Sequence, residues 1–131
     1  MRIALISDIH ANREAFEACL EHAQRNGVDE YVFLGDYVGY GADPGWVVDS
    51  VMAYVERGAV AVLGNHDAAA VGQNADMNED AAAAIEWTKT KLTAEHSKFL
   101  SELPLTARRG DYLYVHANPV APAEWGFVAD L

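Results

Sequence analysis

The sequence predicts an α/β fold organised around a parallel β-sheet, on three observations. Three short apolar runs, at residues 2–7 (RIALIS), 30–34 (EYVFL) and 59–63 (AVAVL), are nearly continuous, as in strands buried on both faces. Two stretches with helical spacing of apolar residues separate them, joined by short links. That is the β-α-β-α-β alternation of right-handed crossovers. A polar cluster follows each run, as where loops diverge at the carboxyl ends of the strands of an open sheet.

The first strand runs from Arg2 to Ser7. Asn12 then caps a helix that continues through Asn26, with Ala15, Phe16, Cys19, Leu20 and Ala23 on one face and Gly27 as its stop. Cys19, on that apolar face, reads as a core residue. Glu30 to Leu34 form the second strand. Asp43-Pro44 supplies an N-cap and first helical position for a helix to about Arg57, ended by Gly58. Ala59 to Leu63 form the third strand. The second half changes character: Asn78-Glu79-Asp80 opens an Ala-rich helix to about Lys91, and Thr93 caps another that ends before Pro104. Leu105 to Arg108, a Gly110-Asp111 turn and Tyr112 to His116 read as a hairpin. His22 and His96 fall within helices without a partner pattern and are expected on the surface. No repeat or linker interrupts the chain, so residues 1–131 are expected to form one domain.

Acidic residues outnumber basic ones 20 to 9, for a formal net charge of −11. Such a field repels polyanions, which argues against duplex nucleic acid as a partner. It still admits a small phosphate ester, because bound dications would reverse the potential locally. The single cysteine excludes an internal disulfide and fits a reducing compartment. The apolar run at the N-terminus is too short for a signal peptide, and no run approaches a membrane-spanning length. The expectation is a cytoplasmic protein with no membrane partner.

Asp8 and His10 follow the first strand, Gly35-Asp36 the second, Gly64-Asn65-His66-Asp67 the third, and His116-Ala117-Asn118 the hairpin. Because the first three strands are parallel, their clusters share one edge of the sheet and can converge on one crevice. Carboxylate, imidazole and amide donors together favour Mn, Fe, Co, Ni or Zn over Ca. Two such ions roughly 3.5–4 Å apart, bridged by one carboxylate, can clamp a phosphoryl group and acidify a shared water. Each cluster also has a plainer reading. Asp8 could be a helix cap beside a surface histidine, His10, and Asp67 a cap of the following segment. Asp36 could be a turn residue, Asn65 and His66 turn formers, and His116 a satisfied core or surface histidine at a strand end.

The segments Ser-Asp8-Ile-His10, Gly35-Asp36-Tyr-Val-Gly, Gly64-Asn65-His66-Asp67 and Val-His116-Ala-Asn-Pro resemble four of the five signature segments of the calcineurin-like metallophosphoesterases, in the family's order. The resemblance implies that Asp8 and His10 bind a first metal, Asp36 bridges two, and Asn65 and His116 bind the second. His66 would stabilise the phosphoryl transition state or protonate the leaving oxygen, with Asp67 orienting it. A hydroxide bridging two divalent transition metals would hydrolyse a small or nucleotide-type phosphate mono- or diester. Asn12 and Tyr37 are candidate substrate contacts. For Asn12 a helix cap is the competing role; for Tyr37 and Tyr40 it is packing against the loop.

Two features depart from the family pattern. The Asp-Arg-Gly that follows the second Gly-Asp in its protein Ser/Thr phosphatases and symmetrical dinucleoside tetraphosphate hydrolases is replaced by Tyr37-Val38-Gly39-Tyr40-Gly41, without an arginine to clamp phosphate. This is similar to the bacterial and archaeal branch loosely labelled diadenosine tetraphosphatase-like, as are the Ala-rich helix and Trp87-Thr88. The fifth segment, Gly-His-x-His, does not occur. The resemblance therefore implies the N-terminal βαβαβ half of the family's sandwich, with added helices and a hairpin and the second sheet largely missing. An open sheet face of this kind is expected to be covered by a second copy of the chain or by a missing half, and a non-catalytic metal-binding or subunit-interaction module is the alternative function.

Overall fold

The computed structural model describes residues 1–73 and 75–129, leaving 74, 130 and 131 of the expected 1–131 domain outside the described residues. Strand β1 (Ile3–Ile6), helix α1 (Arg13–Arg25), β2 (Glu30–Phe33), α2 (Pro44–Glu56) and β3 (Val60–Ala61) form the expected alternation. Helices α3 (Asn65–Ala70), α4 (Glu79–Lys89) and α5 (Ala94–Glu102) precede the hairpin β4 (Thr106–Arg109) and β5 (Tyr112–Val115), and a 3₁₀ turn spans Pro122–Glu124. The sheet order is β1-β2-β3, all parallel, with Ile3 opposite Glu30 and Val32 opposite Val60.

The helix starts follow from local chemistry. The side-chain oxygens of Asn12, Asn78 and Thr93 accept the N–H groups of Ala15 (3.1 Å), Ala81 (2.9 Å) and His96 (3.1 Å), which otherwise have no intrahelical partner. Pro44, whose missing N–H costs nothing at a first-turn position, opens α2.

Side-chain alternation in the sheet creates two cores. Phe33 and Ala61 face the helices, joining Phe16, Leu20, Val47, Val48, Val51, Ile85 and Leu100. Val32, Val60 and Val62 face the other way and meet Tyr114 of the hairpin. One face of the sheet is thus covered by helices, and the hairpin covers only part of the other.

Four expectations are corrected. The Gly-Asn-His-Asp segment, where no helix was expected, begins α3, because Gly64 serves as its N-cap and its N–H is accepted by the Asp67 side chain at 3.0 Å. The β3 ladder is shorter than 59–63, since the Leu63 N–H turns away to the Pro104 carbonyl at 2.8 Å. Cys19 is exposed; α1 buries Phe16, Leu20 and Ala23 instead, and Cys19 lies beside β1, an edge strand among the described residues. His96 is buried. Its Nδ1 accepts the Thr93 N–H at 3.2 Å and its Nε2 lies 2.7 Å from Asp49 on α2, a tertiary partner that helical periodicity cannot reveal. No helix among the described residues is long and apolar enough to cross a membrane.

Candidate metal centre

The ends of β1 and β2 are laced together by backbone hydrogen bonds: Asp8 N–H to Gly35 O (3.1 Å), His10 N–H to Asp36 O (2.9 Å) and Ala11 N–H to Tyr37 O (2.8 Å). The lacing holds non-glycine residues in the sterically costly left-handed region. Of the six such residues described, Asp8, His10, Ala11, Asp36 and Tyr40 lie here. Strain of this kind persists only where the surroundings over-determine it, and it concentrates at functional sites. The loop after β3 abuts the loop after β2, and a Cβ on Gly64 would sit 2.2 Å from both the N and the Oδ1 of Asp36. Only glycine permits that approach.

Asp36 is the centre of the cluster. It is 3% exposed, and its Oδ1 accepts the His66 backbone N–H at 2.9 Å. Its Oδ2 lies 3.7 Å from His10 Nε2, 3.5 Å from His116 Nε2 and 3.9 Å from His66 Nε2. Asp8 Oδ1 is 3.7 Å from His10 Nε2, and Asn65 Oδ1 is 3.0 Å from His116 Nε2. His10 and His116 are oriented by their other ring nitrogens. Nδ1 donates to the Val38 carbonyl at 3.0 Å in one and to the Leu34 carbonyl at 2.7 Å in the other, which aims each Nε2 at Asp36. Burial disfavours the imidazolium of His116, but the hydrogen bond and charge of Asp36 outweigh it and raise its pKa to about 9. His66 moves the other way: burial, only partly opposed by the Asp36 charge, lowers its pKa. Its Nδ1 is buried without a hydrogen-bond partner among the described residues.

The donor set fits divalent transition ions. Two donors on one ion, each about 2.1 Å from it, stand ~3.0–3.5 Å apart at ordinary bond angles, near the separations seen here. Two triads, His10-Asp36-His66 and Asp8-Asp36-His116, each gather ligand atoms within 4.8 Å, and both use Asp36. The sharing of one buried carboxylate by two sets of donors is the geometry a bridged pair of ions needs. The first triad includes His66, to which the sequence resemblance assigns no metal, and Asn65 reaches the cluster through its amide oxygen at His116.

A family model for calcineurin-like phosphoesterases matches residues 1–128. The chain belongs to that family. An uncharacterized protein of Methanocaldococcus jannaschii is 37% identical over 132 residues, which cover 96% of this chain and 53% of the relative. A crystal structure of a metallophosphoesterase from Sphaerobacter thermophilus matches with a TM-score of 0.82 at 40% identity, over 98% of this chain and 51% of its own. Another, of a protein provisionally named a diadenosine tetraphosphatase, matches with a TM-score of 0.69 at 28% identity, over 89% of this chain and 50% of its own. This phosphoesterase chain therefore spans about half the length of the curated relative it matches.

Within the candidate site, Asp8, His10, Asp36, Asn65, His66 and His116 come together, and other sequence-nominated residues do not join them. Asp67 was expected to orient His66. It is wholly buried and instead binds four backbone N–H groups: Asp36 (2.7 Å) and Gly64 (3.0 Å) at Oδ2, Tyr37 (2.9 Å) and Val38 (3.2 Å) at Oδ1. It clamps the backbone that presents Asp36. Burial and the Asp36 charge raise its pKa to about 7, while these donors pull it down. Every partner is a donor, so the carboxylate is the form that the surroundings satisfy. Tyr37, nominated as a substrate contact, is a core residue whose hydroxyl donates to the carbonyls of Phe33 (3.1 Å) and Val62 (2.6 Å). Asn12 spends its side-chain oxygen capping α1. The Asn118 side chain is occupied locally, donating to the Gly126 carbonyl and accepting the N–H groups of Val120 and Ala121. The clamp role of Asp67 had one sequence signal, an acidic residue three positions after a strand-ending glycine, but its partners around residue 36 are invisible to local patterning.

Proposed function

We propose that this chain carries the ligand-bearing rim of a dinuclear metallophosphoesterase that hydrolyses a phosphate mono- or diester, of a small or nucleotide-type substrate. The observation that carries this reading is the position of Asp36 Oδ2, within 3.9 Å of the Nε2 atoms of His10, His66 and His116. By the family resemblance Asp8, His10 and Asp36 would hold one ion and Asp36, Asn65 and His116 the other. The two triads gathered here group the donors differently, with His66 beside His10 and Asp8 beside His116, and share Asp36 with that assignment. Bound there, Mn, Fe, Zn, Co or Ni would neutralise phosphoryl oxygens and supply an acidified water as nucleophile.

The chain's own groups do the rest. Asp67 fixes the peptide that presents Asp36, and Nδ1–H bonds to backbone carbonyls keep His10 and His116 in the tautomer whose Nε2 can ligate. His66, whose pKa burial lowers, would offer an N–H to a phosphoryl oxygen; the alternative role, giving a proton to the leaving oxygen, requires its imidazolium form.

Manganese-stimulated hydrolysis of a chromogenic phosphate ester, abolished by Asp36→Asn, is the expected result. Undiminished turnover in that variant would refute the bridging role. A second reading, a metal-binding or subunit-interaction module without turnover, draws on Leu5 of β1, which is 59% exposed. In either case a second copy, or the part by which the relatives exceed this chain, would cover that flank. Strictly monomeric sedimentation without binding of an apolar dye would contradict such coverage. A cytoplasmic setting accords with the single cysteine.

A further inference from the structure

The loop after β2 ends in Gly39-Tyr40-Gly41, and its middle residue is neither core nor ordinary surface. Tyr40 is 54% exposed and has φ 61°, a left-handed conformation that is rare for a bulky aromatic residue. The backbone on both sides is pressed into the site. A Cβ on Gly39 would lie 2.7 Å from His66 Nδ1, and one on Gly41 would lie 2.2 Å from the His10 carbonyl oxygen. The turn is pinned there by hydrogen bonds from the Gly41 N–H to His10 O (3.0 Å) and from the Asp43 N–H to Ala11 O (3.0 Å).

The Tyr40 ring stands 5.0 Å from the imidazole of His10 at 69° and 5.0 Å from that of His66 at 49°. Part of the ring is thus spent on two site histidines, and much of its surface remains open to solvent. Packing alone does not account for a half-exposed aromatic held at a costly backbone angle by two close-approach glycines. Strain next to a reacting cluster points to a role in that cluster. The position indicates which role. Asp36 marks where the phosphoryl group would be held and His66 where the leaving oxygen would be, so the group attached through that oxygen lies nearest Tyr40.

We propose that Tyr40 is a binding platform for a leaving group that carries a planar aromatic ring, an aryl alcohol or a nucleoside, with the ring stacked on its open surface. The proposal rests on the phosphoesterase reading above and adds the substrate class. Every aromatic ring has a π-face to offer, so the platform selects planar leaving groups over aliphatic ones without reading a sequence or a base edge.

The test is equilibrium binding to the manganese-loaded chain, with phenyl phosphate and glycerol phosphate as probes and Tyr40→Phe and Tyr40→Leu as variants. Both variants keep a Cβ, so the backbone cost of the left-handed position is common to them. Wild type and Tyr40→Phe are expected to bind phenyl phosphate about tenfold more tightly than Tyr40→Leu does, with glycerol phosphate binding alike in all three. In the zinc-loaded chain, whose diamagnetic ion leaves nearby signals observable, the Tyr40 ring resonances, identified by their loss in Tyr40→Phe, should shift with phenyl phosphate and not with inorganic phosphate. Equal loss for both probes in Tyr40→Leu, no preference for phenyl phosphate in the wild type, or no binding of it at all would each overturn the platform. Turnover separates the two ideas: hydrolysis without the aromatic preference refutes the platform alone, whereas ring-dependent binding without hydrolysis leaves Tyr40 a stacking site for aromatic phosphates and counts against turnover by this chain.

Discussion

At the β2–β3 rim a buried carboxylate, Asp67, accepts four backbone N–H groups, and two loops meet so closely that Gly64 has no room for a Cβ. At the opposite flank of the same sheet, β1 turns its outer edge to solvent. Arg2 O, Ile6 O and Asp8 N–H all bond toward β2, so the backbone groups of Ile3 and Leu5 face outward, and Leu5 is 59% exposed. The difference teaches where the site gets its rigidity. The side chains at the rim are fixed by partners within this chain, through hydrogen bonds that leave few alternatives. The flank has no such partners among the described residues, and its apolar surface is of the kind another element covers. If that contrast is real, perturbing the rim should destroy the site, and perturbing the flank should leave it intact.

The largest expected effect is at Asp67. Asp67→Ala strands four buried N–H groups, and unmet buried donors put the loss at about 3–5 kcal/mol. Denaturant unfolding would measure it, and manganese affinity should fall in parallel because Asp36 loses its support. Asp67→Asn should lose less, since the amide oxygen still accepts two of the bonds while its NH₂ opposes the others. Gly64→Ala comes next. A methyl at 2.2 Å from Asp36 must displace that loop, at about 1–3 kcal/mol by the usual cost of overpacking. A crystal structure of this variant should show Asp36 moved away from the histidines, and a wild-type arrangement would show the approach to be less tight than it looks.

Those two residues also mark what could be read in the sequence. The strands, the Asn12, Asn78 and Thr93 caps and Pro44 were legible because each depends on neighbours within a few residues. The gathering of Asp8, Asp36 and Asn65 on one rim followed from strand parallelism, itself a consequence of β-α-β alternation. Roles that depend on distant partners were not legible. Asp67 reaches residues about thirty positions back, His96 pairs with Asp49 across two helices, and Cys19 is exposed because β1 is an edge strand among the described residues. Tyr37 looked like a pocket wall from its place in a motif, yet its hydroxyl serves the backbone of β2 and of the segment just after β3.

The charge on His116 gives an intermediate effect with a defined sign. Its folded pKa, about 9, lies above the ordinary 6.5, so for the chelator-treated chain its contribution to stability is complete below pH 6.5 and is lost as pH rises through 9. Metal binding has the opposite dependence, because the same Nε2 must shed its proton before it can ligate. Manganese affinity should therefore climb between pH 7 and 9, by up to about tenfold per unit where His116 alone titrates. In His116→Ala the climb should flatten as the overall affinity drops. An unchanged slope in that variant would assign the proton to another group.

The smallest effect is expected at the flank, where Leu5→Lys replaces an exposed apolar side chain on an edge strand. More than half of Leu5 is already in water and its packing contribution is small, so unfolding should change by no more than about 0.5 kcal/mol, as at other surface positions. Manganese affinity should not change, because none of the rim hydrogen bonds passes through Leu5. What should change is association: a lysine on a free edge blocks strand pairing, so any self-association or apolar dye binding by the wild-type chain should decline. A variant that instead lost metal would tie the flank to the rim and break the contrast, because Leu5 could act on Asp8 only by shifting β1 itself.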